Sequence, residues 1–131
     1  MDINILKIAS DTKNNKHIHN FTHSMKYKSQ ICGDEIEIFL IIKDNVIKDF
    51  SYQSQSCIYC NASANLATKN FKKKSKNKIN NFLKILDKFN EKENISFPSE
   101  WKEFKKLFDK KNYARKECLT LPIKALKKVI Q

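Results

Sequence analysis

The chain has 131 residues, of which 40% are hydrophobic, and it includes nine Phe, four Tyr and one Trp. This is enough apolar material for a modest core, so we expect a single domain over residues 1–131. No apolar run approaches the ~20 residues of a membrane span. The start, Met1-Asp2-Ile3-Asn4, lacks the basic and apolar regions of a signal peptide. We therefore expect a cytoplasmic protein with no membrane partner.

The net charge of +12 raises the question of nucleic-acid binding. Arg115 is the only arginine, whereas proteins that read bases favour arginine for its two-pronged hydrogen bonding. Lys, Asn, Ile and Phe are abundant throughout and glycine occurs once, which is typical of a compositional drift over the whole surface. A nucleic-acid partner is therefore disfavoured, and a basic face that docks an acidic protein is the better prediction.

The chain begins with a predicted short helix and a polar connector. Residues 3–10 place apolar side chains on one helical face, whereas residues 11–30 show no clear period. The connector contains His17, His19 and His23. A His-x-His pair can bind a metal ion, but histidines in a polar connector are more often solvated, and both interpretations stay open.

A β-hairpin is predicted next. Residues 35–42 alternate in polarity at first and then become fully apolar, residues 46–53 alternate again, and the turn residues Lys43-Asp44-Asn45 separate them. A third strand is predicted near residues 26–31. The sequence therefore indicates a small antiparallel sheet of about three strands.

Helices are predicted to fill the rest of the chain, with a polar loop at residues 110–117. The first of these helices follows Cys57, is capped by Asn61 or Ser63 and ends at Lys72-Lys73-Lys74-Ser75. The second has an apolar stripe from Ile79 to Phe89, and the third starts at Ser99-Glu100. The last is capped by Thr120 and has Pro122 in its first turn. The predicted fold class is α+β, with the helices packed on one face of the sheet.

Four cysteines are the residues with the clearest chemistry. Their spacing is unlike a disulfide framework, and cysteines in the cytosol are expected to be reduced, so metal or thiol chemistry is predicted. Cys32, Asp34, Cys57 and Cys118 all lie near the ends of predicted elements, where they can meet at one edge of the fold. Three thiolates and one carboxylate suit a tetrahedral zinc ion, and the same set could hold an iron–sulfur cluster.

Cys60 has several interpretations. Cys57-x-x-Cys60 has the spacing of redox and zinc motifs, and three residues on a helix start place the two thiols roughly side by side. Cys60 is therefore an additional ligand, a resolving thiol or a small buried hydrophobic residue.

Three boxes of the sequence carry a resemblance to a known family. Cys32-Gly33-Asp34, the stretch from Cys57-Ile58-Tyr59-Cys60 to Ala64, and Arg115-x-x-Cys118 follow one another in register. They resemble the U-type iron–sulfur cluster assembly family, which includes IscU, the N-terminal domain of NifU, and SufU. The resemblance covers about residues 3–130 and implies a SufE/NifU-like fold.

Within this family the chain is most similar to the SufU branch. It lacks a Leu-Pro-Pro-Val-Lys chaperone motif, and Glu117 rather than His precedes Cys118. The resemblance implies a zinc ion held by the four site residues and a sulfurtransferase that acts with a SufS-like cysteine desulfurase. It further implies that a desulfurase residue displaces Cys32, which then accepts the sulfur. Arg115 is expected to support this step.

Two other functions remain open at this stage. The first is a scaffold that binds iron, assembles a [2Fe–2S] cluster and passes it to apo acceptor proteins. The sulfur carrier described above would instead supply sulfur to a separate, downstream scaffold. The second is a zinc-stabilised module that docks nucleic acid. The chain also departs from the family pattern at Ser29-Gln30-Ile31, where Asn-Pro is usual, and at Ser54, Ser56 and Cys60.

Overall fold

The computed structural model describes residues 3–131, which form four α-helices and one three-stranded sheet. The elements are α1 (Ile3–Ser10), β1 (His23–Lys28), β2 (Glu35–Lys43), β3 (Val46–Gln55), α2 (Ile58–Phe71), α3 (Lys76–Leu86) and α4 (Lys116–Ile130). Three 3₁₀-helical segments lie between α3 and α4, namely Asp87–Phe89, Ser99–Lys106 and Lys110–Arg115. The predicted α+β class is confirmed.

The sheet has the order β1-β2-β3, and both strand pairs are antiparallel. The predicted hairpin is present: Asp44 and Asn45 have φ values of 55° and 61° and form the two-residue turn. Positive φ at both central residues matches the right-handed twist of the strands, and Asp and Asn tolerate this conformation. The third strand is also present, but it starts at His23, earlier than predicted.

The two faces of β2 are covered by different parts of the chain. Ile36, Ile38 and Leu40 are buried toward the helices, as the alternation predicts. Phe39 points to the opposite face, where the rings of His17 and Phe21 cover it at centroid distances of 4.5 and 5.6 Å. The segment predicted to be a polar connector is therefore a cover for an apolar residue on the outer face.

The outer edge of β3 is covered at both of its ends. Near one end, the N–H of Tyr52 donates to the carbonyl of Asn14 at 3.0 Å. Near the other, the N–H of Ile47 donates to the carbonyl of Lys74 at 3.0 Å, and the N–H of Lys73 donates to the carbonyl of Ile47 at 2.6 Å. These bonds satisfy backbone groups that an edge strand would otherwise leave open.

The segment predicted as a third helix is a 3₁₀-helix. Trp101, Phe104 and Leu107 are buried and recur at every third residue, and a 3₁₀-helix places such residues on the same side. Trp101 stacks on Phe82 with centroids 4.8 Å apart, and Phe104 stacks on Phe71 at 5.4 Å. The strict three-residue spacing of the large side chains therefore decides the helix type.

The last helix begins earlier than predicted. α4 starts at Lys116, so Thr120 lies inside it rather than at its cap, and Pro122 lies in its interior. The proline ring has no N–H to donate to the carbonyl of Cys118. The hydroxyl of Ser63, on α2, donates to the next carbonyl, that of Leu119, at 2.6 Å. Among the helices of residues 3–131, none combines the length and apolar character that crossing a membrane requires.

Candidate metal and sulfur site

The loop between β1 and β2 is organised by the hydroxyl of Ser29. Its oxygen accepts hydrogen bonds from the N–H groups of Ile31 and Cys32, at 3.2 Å each. The N–H of Ser29 donates to the carbonyl of Asp34 at 2.8 Å, which closes the loop. Gly33 has φ 75°, a left-handed conformation that glycine adopts without strain, and the chain bends there between Cys32 and Asp34. The loop leaves Cys32 exposed and buries one carboxylate oxygen of Asp34.

Cys57 occupies the N-cap position of α2. Neither Asn61 nor Ser63 caps this helix, contrary to the prediction. Instead, the side-chain oxygen of Asn61 accepts hydrogen bonds from the hydroxyls of Ser54 and Ser56, at 2.5 and 3.2 Å. These bonds fix the path of the chain from β3 into the half-buried Cys57.

Cys118 lies in the first turn of α4 and not before the helix, because α4 begins at Lys116. Its sulfur, the sulfur of Cys32 and a carboxylate oxygen of Asp34 all lie within 4.8 Å of one another. Cys57 lies close enough to Cys118 to raise the pKa of its thiol, but it is not one of the three donors within 4.8 Å. The structure therefore brings three of the four predicted ligands together and places the fourth, Cys57, beside them.

The electrostatics of this group favour a cation. Burial, together with the neighbouring Cys57, Cys32 and Asp34, raises the pKa of the Cys118 thiol. The Asp34 oxygen Oδ2 is buried, and no group in residues 3–131 donates a hydrogen bond to it. A buried carboxylate oxygen without a donor is costly unless a cation is close. Thiolate and carboxylate donors in this number fit a zinc ion.

Cys60 lies beside the group but outside it. Its side chain is 0% exposed and belongs to the hydrophobic core. Burial raises the pKa of the Cys60 thiol to about 12; a hydrogen bond with Ser56 opposes this shift, and the negative charges of Asp34, Cys57 and Cys32 add to it. In this structure Cys60 packs as a small apolar residue with a weak polar contact.

Arg115 is exposed at the start of α4, three residues before Cys118. Its guanidinium carbon lies 5.2 Å from the ring centre of Tyr59, which is in the first turn of α2. The guanidinium forms no ion pair within residues 3–131. Its charge is therefore not neutralised by a carboxylate of the described chain.

The three histidines do not join this site. The ring of His17 packs on His19 at a centroid distance of 4.8 Å and covers Phe39, as described above. A ring nitrogen of His23 hydrogen-bonds the hydroxyl of Thr22 at 2.8 Å. In the described part of the chain, Cys32, Asp34 and Cys118 form the one cluster of three or more His, Cys, Asp or Glu side chains that could hold a metal ion.

Two residues of the site were missed by sequence analysis. Ser29 appeared there only as a departure from the family pattern. A serine whose hydroxyl accepts hydrogen bonds from N–H groups two and three residues later is nevertheless a known turn signal. Tyr59 appeared there only as part of the second sequence box. Its contact with Arg115 joins residues far apart in the chain, and no local pattern indicates it.

The comparisons with known proteins agree with this geometry. The family model described as "NifU-like N terminal domain" matches residues 3–107. The chain belongs to this family. The chain is also similar to a protein from Thermotoga maritima, "Iron-sulfur cluster assembly scaffold protein IscU", with 29% identity over 128 residues, covering 97% of this chain and 89% of that protein. The resemblance seen in the three sequence boxes is thereby confirmed.

Two solved structures of NifU-like and SufU proteins share the fold. One is a putative iron–sulfur cluster assembly scaffold protein for the SUF system from Fervidobacterium islandicum AW-1, with a TM-score of 0.90, 20% identity, and coverage of 100% of this chain and 96% of that one. The other is the N-terminal part of a NifU-like protein from Brucella abortus, with a TM-score of 0.88, 16% identity, and coverage of 98% and 90%. At these identities the likeness concerns the fold.

Proposed function

We propose that this NifU-like chain is a zinc-binding sulfur carrier that accepts sulfane sulfur from a SufS-like cysteine desulfurase. The observation that carries the proposal is the convergence of Cys32, Asp34 and Cys118 within 4.8 Å, with Cys57 against Cys118. The chain would act as a single cytoplasmic domain and deliver sulfur to a downstream scaffold or apo acceptor protein. The SufU relative in the comparisons supports this branch of the family.

Zinc fits the donors that the site offers. Cys32, Asp34, Cys57 and Cys118 would hold the ion, whose positive charge would keep these thiols deprotonated at neutral pH. The buried oxygen of Asp34 without a donor supports this assignment, because a bound cation would offset its desolvation.

Cys32 is the proposed sulfur acceptor because it is the exposed cysteine of the group. As a thiolate it attacks the outer sulfur of the desulfurase persulfide. A bond forms between Cys32 Sγ and that sulfur, and the bond to the desulfurase cysteine breaks, so the desulfurase departs as a thiolate. No net oxidation or reduction occurs, and no further reactant is needed.

The other residues of the site have supporting parts in this proposal. Cys118 and Asp34 lie in the protected interior of the group, where they keep the site assembled. Arg115, at the rim and without an ion pair in residues 3–131, offers a positive charge to the thiolate that departs. Cys60, at 0% exposure, is not in reach of a partner's persulfide.

The test combines metal analysis with a desulfurase assay on protein purified without oxygen. We expect about one zinc ion per chain and a rise in the turnover of cysteine to alanine. Cys32→Ser should abolish that rise and the one-sulfur mass increase on the carrier. Cys60→Ala should retain both, because that thiol is enclosed by the core.

The alternative function is a scaffold that assembles and transfers a [2Fe–2S] cluster. It is favoured by the name of the Thermotoga maritima relative, which is a scaffold protein. In that case the purified protein would contain iron and labile sulfide, and desulfurase turnover would not rise on its addition. This pair of results would contradict the zinc-dependent sulfur carrier.

A further inference from the structure

Tyr59 links the first turn of α2 to the only arginine of the chain. It follows Cys57 by two residues and is half-buried. The guanidinium carbon of Arg115 lies 5.2 Å from its ring centre, so the ring bridges the segments that carry Cys57 and Cys118. Within residues 3–131, this ring is the one aromatic ring that the guanidinium approaches.

We propose that Tyr59 is a positioning residue that holds Arg115 beside the thiol group, where its charge faces the sulfur exchanged there. The inference rests on the function proposed above and assigns a part in it to an aromatic side chain. A free arginine side chain loses considerable rotamer freedom when it becomes ordered. A ring that already stacks on the guanidinium reduces that loss before the partner docks.

The size of the effect follows from the exposure of the pair. Arg115 is exposed, and a cation over an aromatic face at such a site changes an equilibrium about two- to five-fold. In sulfur transfer, negative charge develops on the departing thiolate of the partner, and a guanidinium held nearby favours it. Loss of the ring should therefore lower the maximal rate of stimulation and leave the half-saturating concentration of the carrier unchanged.

The pair can be observed directly, because a chain with one arginine gives one Nε–Hε resonance in an ¹⁵N–¹H spectrum. We expect the Tyr59→Phe protein to keep the position and the ordering of this resonance, since phenylalanine retains the ring face. The Tyr59→Leu protein should show a resonance typical of a free side chain. Tyr113→Leu is the matched control, because Tyr113 stacks on Lys92 and Lys116 and not on Arg115.

The same variants are then compared in the desulfurase assay at equal zinc content. We expect Tyr59→Leu to lower the maximal stimulation about three-fold, and Tyr59→Phe to restore it. Arg115→Gln should lower it as well, and the double variant Tyr59→Leu/Arg115→Gln should lose no more than Arg115→Gln alone. Non-additivity of this kind is the mark of two residues that act as one unit.

Several results would overturn the inference. An unchanged Arg115 resonance in Tyr59→Leu would show that the ring does not hold the guanidinium. A changed resonance with full stimulation would show that the pair has no part in transfer. If the unaltered protein does not stimulate the desulfurase at all, the proposed function itself fails, and the spectrum still reports whether the pair exists.

Discussion

Asp34 has a buried carboxylate oxygen to which no group in residues 3–131 donates a hydrogen bond. In metal-free protein such an oxygen contributes an unfavourable desolvation term, and in the proposed zinc-bound protein it would become a ligand. We therefore predict that Asp34→Ala leaves the free energy of unfolding of metal-free protein unchanged or raises it. The stabilisation added by saturating zinc should fall by about 1–2 kcal/mol.

Urea unfolding with and without zinc measures both quantities. A fall of the metal-free stability by more than about 1 kcal/mol would mean that Asp34 has a structural role that does not depend on metal. The exposed carboxylate Glu93, far along the chain from Asp34, provides a control position for a carboxylate→Ala change away from the site.

Tyr52 provides a prediction on pH dependence. Burial raises the pKa of its phenol to about 12, with smaller contributions from the negative charges of Asp11 and Cys60. A raised pKa means that the folded state favours the neutral phenol. This contribution to stability is fully present below the unfolded value of ~10 and is lost as the pH rises through the folded value.

Absorbance at the tyrosinate band tests this directly. The part of the alkaline rise that disappears in Tyr52→Phe should be centred near pH 12 while the protein remains folded. A midpoint near ~10 for that part would contradict the burial of the phenol. Circular dichroism over the same range shows whether unfolding precedes titration.

Three short boxes in register predicted Cys32, Asp34, Cys57 and Cys118 as donors, and the structure brings Cys32, Asp34 and Cys118 within 4.8 Å of one another. Their convergence depends on how α2 and α4 pack on the sheet, and no local pattern contains that information. The pairing of Tyr59 with Arg115 is of the same kind. Residue chemistry is local, whereas residue neighbours are set by the whole fold.

The 3₁₀-helix at Ser99–Lys106 contributes Trp101 and Phe104 to the core, and Leu107 follows at its C-cap. Phe104 is fully buried between the rings of Phe71, Phe82 and Trp101. We predict that Phe104→Ala lowers the free energy of unfolding by about 3–5 kcal/mol, because it leaves a cavity that a short 3₁₀ segment cannot close.

Phe97 is the matched control for this prediction. It is half-buried and reaches only the margin of the aromatic cluster, 6.3 Å from the ring centre of Phe82. Phe97→Ala should therefore cost clearly less in denaturant unfolding. Equal losses for the two variants would contradict the claim that the three-residue spacing sets the core.

Elements with a regular hydrophobic pattern were predicted well from the sequence, whereas elements whose pattern is interrupted were not. The alternation of β2 and β3 and the helical stripe of α3 gave these elements with small errors at their ends. The start of α4 was missed because residues 110–117 are polar, which favoured a loop, and because Pro122 suggested a first turn. Cys118 and Leu119 are buried, and the hydroxyl of Ser63 donates a hydrogen bond to the carbonyl of Leu119. Both features support a helix there in spite of the proline.

The distribution of charge over the whole molecule leads to a prediction about the partner. Basic and acidic residues are equal in number in residues 1–65, so the net charge of +12 resides in the mostly helical residues 66–131. An acidic partner surface would be attracted to this half, and salt would screen the attraction.

We predict that the half-saturating carrier concentration in the desulfurase assay rises several-fold between about 50 and 300 mM sodium chloride. The maximal rate should change little, because the transfer step takes place within the docked complex. A half-saturating concentration that does not depend on salt would show that the lysines are a solvated surface with no part in docking. Desulfurase activity without carrier, measured at each salt concentration, is the control.

The loop of Ser29 has a consequence for the order in which parts of the protein open. The N–H groups of Ile31 and Cys32 are tied to one serine hydroxyl, whereas Cys57 and Cys118 belong to helix starts that pack on the core. Local opening free energies are lowest where backbone bonds are few and exposed. Amide exchange should therefore be fast at residues 30–33 and slow in α4. The proposed sulfur acceptor, Cys32, thus lies in a segment that can open while the rest of the protein remains folded.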